Sequence, residues 1–116
     1  MNIESLMKIQ TDLDTPSIKH LINLLKKYRL NMWVYPGVIK RTLAISTRTT
    51  YEILEILQIE GYLQSYYELY CSNCQRSSGT AIRYFNDLPD TFECEICHSE
   101  LPALENAIII YKVVRE

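Results

Sequence analysis

Residues 71–97 read CSNCQRSSGTAIRYFNDLPDTFECEIC, and each end of that stretch is a Cys-x-x-Cys pair. The 116-residue chain has 4 cysteines in all, and these are they: Cys71, Cys74, Cys94 and Cys97. A Cys-x-x-Cys turn presents two thiolates on one knuckle, and two facing knuckles supply the four donors that a tetrahedral zinc ion needs. One structural zinc is therefore expected. Other chemistries fit the pattern less well. A redox pair belongs at a helix N-terminus within a βαβ unit, and no such pattern surrounds these cysteines. A hydrolytic zinc keeps one position open for water, whereas four cysteines close the shell. His98-Ser99-Glu100 spells the H-x-E of zinc deaminases, but there the triplet precedes Pro-Cys-x-x-Cys and here it follows the cysteines. His98 reads as a surface residue, and so does His20, which falls on a basic helix with no partner evident.

The spacing of the pairs falls within that of a zinc ribbon, in which the intervening residues form a hairpin. Ser77-Ser78-Gly79 reads as a turn, residues 81–85 as a strand, residues 86–90 with Pro89 as a second turn, and residues 91–94 as a strand entering the second pair. Residues 107–114, AIIIYKVV, make the strongest strand pattern in the chain. A β domain this small lacks a sufficient core, so metal binding supplies its folding free energy, roughly 10–16 kcal/mol for structural zinc in finger peptides.

Upstream, Thr15-Pro16-Ser17 offers a helix cap followed by proline at the first helical position. Ile18, Leu21, Ile22, Leu25 and Tyr28 then form one apolar stripe, with Lys19, Lys26, Lys27 and Arg29 elsewhere. Residues 3–13 place Ile3, Leu6, Met7 and Leu13 at loosely helical spacing. Residues 31–35 read as an extended connection, and Pro36-Gly37 opens a short helix over Val38, Ile39 and Leu43. Ser46 heads a longer helix to about Glu60 that Gly61 closes, with Thr50, Ile53, Leu54 and Leu57 as its core stripe. The aromatic run after Gly61 has strand character and enters Cys71 without a linker.

Residues 35–63, YPGVIKRTLAISTRTTYEILEILQIEGYL, resemble the winged-helix family of helix-turn-helix domains. The match lies in Leu43-Ala44-Ile45-Ser46, in Thr47-Arg48-Thr49-Thr50-Tyr51 opening the second helix, and in the Gly61-Tyr62-Leu63 exit into a wing. The resemblance implies an α+β fold: a winged helix of three helices plus a β-wing over residues 17–70, followed by a small β zinc ribbon over residues 71–116. Residues 1–16 form an N-terminal extension of helical character. A winged helix joined to a zinc ribbon is similar in architecture to the large subunit of general transcription factor E, and to small accessory subunits of bacterial conflict operons. That likeness supplies no catalytic residues, and fold alone does not establish function.

In the winged-helix family the second helix of the motif enters the major groove of DNA by its N-terminal residues. The resemblance therefore places Thr47, Arg48 and Tyr51 against double-stranded DNA, with Lys40 and Arg41 near phosphates. Charge is divided in the same sense. Residues 17–61 hold seven bases and three acids, whereas residues 62–116 hold four bases and eight acids, within a formal net charge of -2. Against DNA stand Glu52 and Glu55 on the helix that would approach a polyanion. Ile56 and Ile59 fall off the core stripe, beside a wing rich in tyrosines such as Tyr66. Glu52, Glu55, Ile56, Ile59 and Tyr66 therefore form a candidate partner surface, and the second reading is a protein adaptor without DNA binding.

Glycine-rich phosphate loops are excluded, because no G-x-x-x-x-G-K or G-x-G-x-x-G can be written with the 3 glycines present. No serine, histidine and acid grouping stands out, so a non-catalytic role is expected. The longest apolar run, residues 107–111, is too short to span a bilayer. The opening MNIESLMKIQTDLD has no basic region ahead of an apolar one, so a cytoplasmic protein with reduced cysteines is expected. A homodimer through residues 3–13, or through the edge of the strand at 107–114, and burial of that strand both fit the sequence.

Overall fold

A computed structural model describes residues 3–115, with the side chains of Ile3, Glu4 and Ile9 outside the description. The helical spacing expected over residues 3–13 appears as α1, Ile3–Gln10. Leu6 and Met7 from that helix are buried, while Ile3, which belongs to the same expected stripe, lies outside the described side chains.

The second helix, α2, spans Thr15–Leu25. Its cap is one residue earlier than expected. Asp14, not Thr15, holds the extended backbone of an N-cap, and its Oδ1 accepts the Ser17 amide at 2.9 Å. A carboxylate serves this position better than a hydroxyl, because it also meets the positive end of the helix dipole. That hydrogen bond holds the Asp14 carboxyl below the usual aspartate range.

The two-residue strand β1, Trp33–Val34, lies inside the connection expected to be merely extended. It pairs antiparallel with the last strand, setting Val34 opposite Tyr111. Helix α3, Pro36–Leu43, ends on Ala44 at φ 53, and the Ile45 amide reaches back to the Lys40 carbonyl. That left-handed cap turns the chain into α4, Thr47–Ile59, whose first turn Ser46 caps by accepting the Thr49 amide at 3.1 Å. Gly61 follows at φ 84, a conformation that only glycine adopts without strain.

Two compact units result. One comprises Met1–Gln64 with Tyr111–Glu116, and the other Ser65–Ile110. The first holds the continuous hydrophobic cluster, which includes Met7, Ile18, Leu21, Ile39, Ile53 and Leu54. Ile56 corrects the reading above. At 7% exposure it belongs to this cluster, because the apolar arc of α4 is wider than the stripe of Thr50, Ile53, Leu54 and Leu57.

In the second unit, β2 (Leu63–Cys71, whose first two residues belong to the first unit) pairs antiparallel with β3 (Arg76–Ile82). Ser77-Ser78-Gly79 is thus not a turn but the irregular middle of a strand. The register slips there, since Tyr70 faces Ser77 while Glu68 faces Ala81. Gly79 at φ 80 absorbs the extra residues, and the hydroxyls of Ser77 and Ser78 accept the amides of Gly79 and Thr80. Residues 81–85 are accordingly not a strand of their own; a 3-10 turn at Phe85–Asp87 follows β3. Strands β4 (Thr91–Glu93) and β5 (Glu100–Pro102) form a separate ribbon, and β5 is an element the sequence reading missed. β6, Ala107–Val113, matches the strongest strand signal. The four-stranded order is β1-β6-β2-β3, so β6 is an inner strand rather than a free edge. Among the described residues no helix is long and apolar enough to cross a membrane.

Candidate metal centre and helical surface

Each Cys-x-x-Cys pair sits at the tip of a hairpin. Cys71 ends β2 and Cys74 lies in the turn before β3; Cys94 and Cys97 lie in the turn between β4 and β5. The hairpin therefore does not run from one pair to the other, as expected, but carries one pair on each of two ribbons. The reason is local. A Cys-x-x-Cys segment is itself a tight turn, and the residue after each pair, Gln75 at φ 56 and His98 at φ 59, takes a left-handed conformation that returns the chain. In the first knuckle the Cys74 amide donates to Cys71 Sγ at 3.3 Å. In the second, the His98 amide donates to the Cys94 carbonyl at 2.8 Å and the Cys94 amide to the Ser99 carbonyl at 3.0 Å.

The four sulfurs lie within 4.8 Å of one another, a group able to hold a metal ion. Across the knuckles, Cys71 Sγ is 3.7 Å from Cys97 Sγ, and Cys74 Sγ is 3.8 Å from Cys94 Sγ. These are free thiols, not disulfides, whose sulfurs would be about 2.05 Å apart. They do match a tetrahedral tetrathiolate, because bonds of about 2.3 Å to a central ion require edges of about 3.8 Å.

The protons are unevenly shared. Hydrogen bonding from the Ser99 hydroxyl and the Ser99 amide pulls the Cys97 thiol down to about 6. The Cys94 thiol is also lowered, first by the backbone amides of Cys97 and Ile96. Cys74 is pushed up to about 12, chiefly by its contact with Cys97 and then by burial. A fourfold thiolate therefore needs a cation to form. Ser99 is itself oriented, since Asn73 Nδ2 of the first knuckle donates to Ser99 Oγ at 2.9 Å. Neither Asn73 nor Ser99 was legible as a functional residue, because a serine two residues past a cysteine has no sequence signature. His98 is exposed, with Nδ1 3.2 Å from Glu93 Oε1, in line with its reading as a surface residue.

On the helical unit, Lys40, Arg41, Thr47 and Arg48 are exposed and Tyr51 is half-buried. They belong to α3 and to the first turns of α4, the two helices joined at Ala44. Arg48 Nε pairs with Glu52 Oε1 at 3.2 Å. Of the residues read as a partner surface, Ile59 is exposed at 78%, whereas Ile56 is buried and Glu55 Oε1 accepts the Tyr111 hydroxyl at 2.9 Å. In the other unit, Tyr66 lies under the Arg83 guanidinium, 5.7 Å from its ring centre. Fold and site thus define a small α+β chain that joins helices to a four-cysteine cluster. No protein-family model, curated protein or solved structure matches it.

Proposed function

We propose that this chain is a non-catalytic DNA-binding module of the transcription-regulator kind, built from a winged helix and a zinc ribbon. Zinc is the metal that four thiolates in a closed tetrahedral shell suit best, with Cys71, Cys74, Cys94 and Cys97 as its ligands. The ion's role is structural. The hydrophobic cluster lies wholly outside the ribbon unit, whose fully buried apolar side chains are few: Leu69, Ala103 and Ile110 beside Cys71 and Cys94. One observation carries the DNA reading: the left-handed cap at Ala44 joins α3 to α4 with Lys40, Arg41, Thr47 and Arg48 all open to solvent around the junction. An N-terminal turn presented in this way suits major-groove entry, with the two α3 bases near phosphate.

The test is fluorescence anisotropy of the zinc-loaded chain against random duplex DNA at two salt concentrations. Binding that weakens steeply with salt, and that Arg48→Glu abolishes, supports the reading. Affinity unchanged by Arg48→Glu overturns it. A second reading, a protein adaptor, keeps one specific observation in its favour, the exposed Ile59 on the last turn of α4. Under it, Ile59→Asp breaks a partner complex while the chain stays folded, and no duplex binding is seen at low salt.

A further inference from the structure

The helical unit contains a cleft of about 350 Å³ that neither the metal centre nor the α3–α4 surface uses. Protein interiors seldom leave voids larger than a water molecule, and this volume lies within the range of small-molecule sites, roughly 300–1,000 Å³. Its walls are Ile22 and Leu25 of α2, Tyr28 just beyond that helix, Leu57 of α4, Leu63 of β2 and Val113 of β6. Three of these, Leu57, Leu63 and Val113, belong to the hydrophobic cluster, so the floor is continuous with the core. Burial against these walls raises the Tyr28 phenol above its ordinary range, a sign of a water-poor lining.

Among the described residues, the charged side chains that line the cleft are all of one sign: Lys26, Arg29 and Arg115. Arg115 is held in place. Its guanidinium lies 4.2 Å from the centre of the Tyr62 ring, and Nη2 donates to the Glu60 carbonyl at 2.9 Å. A guanidinium has five N–H groups, so donors remain for a ligand. Lys26 and Arg29 make no ion pair among the described residues.

We infer that this cleft binds a small amphipathic carboxylate, its apolar body against Leu57, Leu63 and Val113 and its anionic head among Lys26, Arg29 and Arg115. Charge complementarity selects this occupant. A neutral apolar molecule would leave three cations facing a greasy mouth, and a cationic one would be repelled. The site is independent of whether the chain binds DNA.

The test titrates the intact, metal-loaded chain with decanoate and, separately, with decanol, following backbone amide shifts by NMR. Saturable decanoate shifts centred on Leu57, Leu63 and Val113, with decanol binding roughly ten-fold more weakly, are expected from a charge-assisted head-group contact. The surface double variant Lys26→Gln, Arg29→Gln should lower decanoate affinity to that of decanol while leaving the other amide shifts in place. Equal binding of decanol and decanoate, or decanoate binding untouched by the double variant, overturns the assignment. So does the absence of saturable shifts, and so does self-association that shifts the same amides without ligand, which would make a second copy the occupant.

Discussion

The hydroxyl of Tyr111 donates to Glu55 Oε1 at 2.9 Å and ties the last strand to the middle of α4 across 56 positions of sequence. Tyr111 is 1% exposed, so its ring is core and its oxygen must find a partner there. Hydrogen bonds to charged acceptors contribute more than neutral ones. Tyr111→Phe is therefore expected to cost about 1–2 kcal/mol in chemical denaturation, with the fold retained. Glu55→Gln, which keeps an acceptor, should cost less.

Ser99 governs the metal centre at one remove. Asn73 donates to its oxygen at 2.9 Å, and that oxygen lies 3.3 Å from the Cys97 sulfur. Ser99→Ala should raise the Cys97 thiol from about 6 toward the ordinary thiol range and weaken zinc binding roughly ten-fold in a chelator competition. Because the four ligands stay in place, the zinc-loaded fold should persist, visible as an unchanged amide spectrum outside the knuckles.

The thiols of the folded knuckles have a defined pH behaviour. Cys97 is depressed, so the stability carried by its thiolate is present above the ordinary thiol pKa and is lost as pH falls through about 6. Cys74 is raised, so its contribution is present below the ordinary value and is lost as pH climbs through about 12. At neutral pH Cys97 is ionised and exposed while Cys74 keeps its proton. Zinc should protect all four cysteines from alkylation at pH 7, and chelation, by loosening the ribbon, should open them to the reagent. Zinc must drive the proton from Cys74, so its apparent affinity should rise with pH.

Metal removal should also divide the chain. Hydrogen exchange after chelation is expected to show loss of protection in residues 65–110, while the amides of α2 and α4 stay protected by the hydrophobic cluster. Equal loss throughout would show that the helical unit depends on the ion as well.

The α3–α4 junction yields a pair of changes with opposite signs. Ala44 at φ 53 carries the penalty of a side chain in the left-handed region, so Ala44→Gly should stabilise the chain by roughly 0.5–1 kcal/mol. Ser46→Ala removes the acceptor for the Thr49 amide and should destabilise it by about 1 kcal/mol. Thermal unfolding of the two variants checks both.

Short-range chemistry was legible in the sequence wherever one residue type decides the outcome. Two Cys-x-x-Cys pairs mark the cluster able to hold a metal, because a knuckle is a local turn and thiolates have few other roles in that spacing. Ser46 and Gly61 bound α4, because capping depends on neighbours three or four residues away. The run at 107–114 signals by its β-propensity the strand observed over Ala107–Val113. What depends on distant partners was not legible. Ile56 lies off the narrow stripe of α4 and is buried only because the cluster wraps a wider arc of that helix. Gly79 resembles a turn residue but serves a register slip that the pairing of β2 with β3 imposes. Asn73 reaches Ser99 across 26 residues, and Tyr111 returns to the helical unit to meet Glu55, because hydrogen bonds and packing act through space and sequence adjacency does not record them.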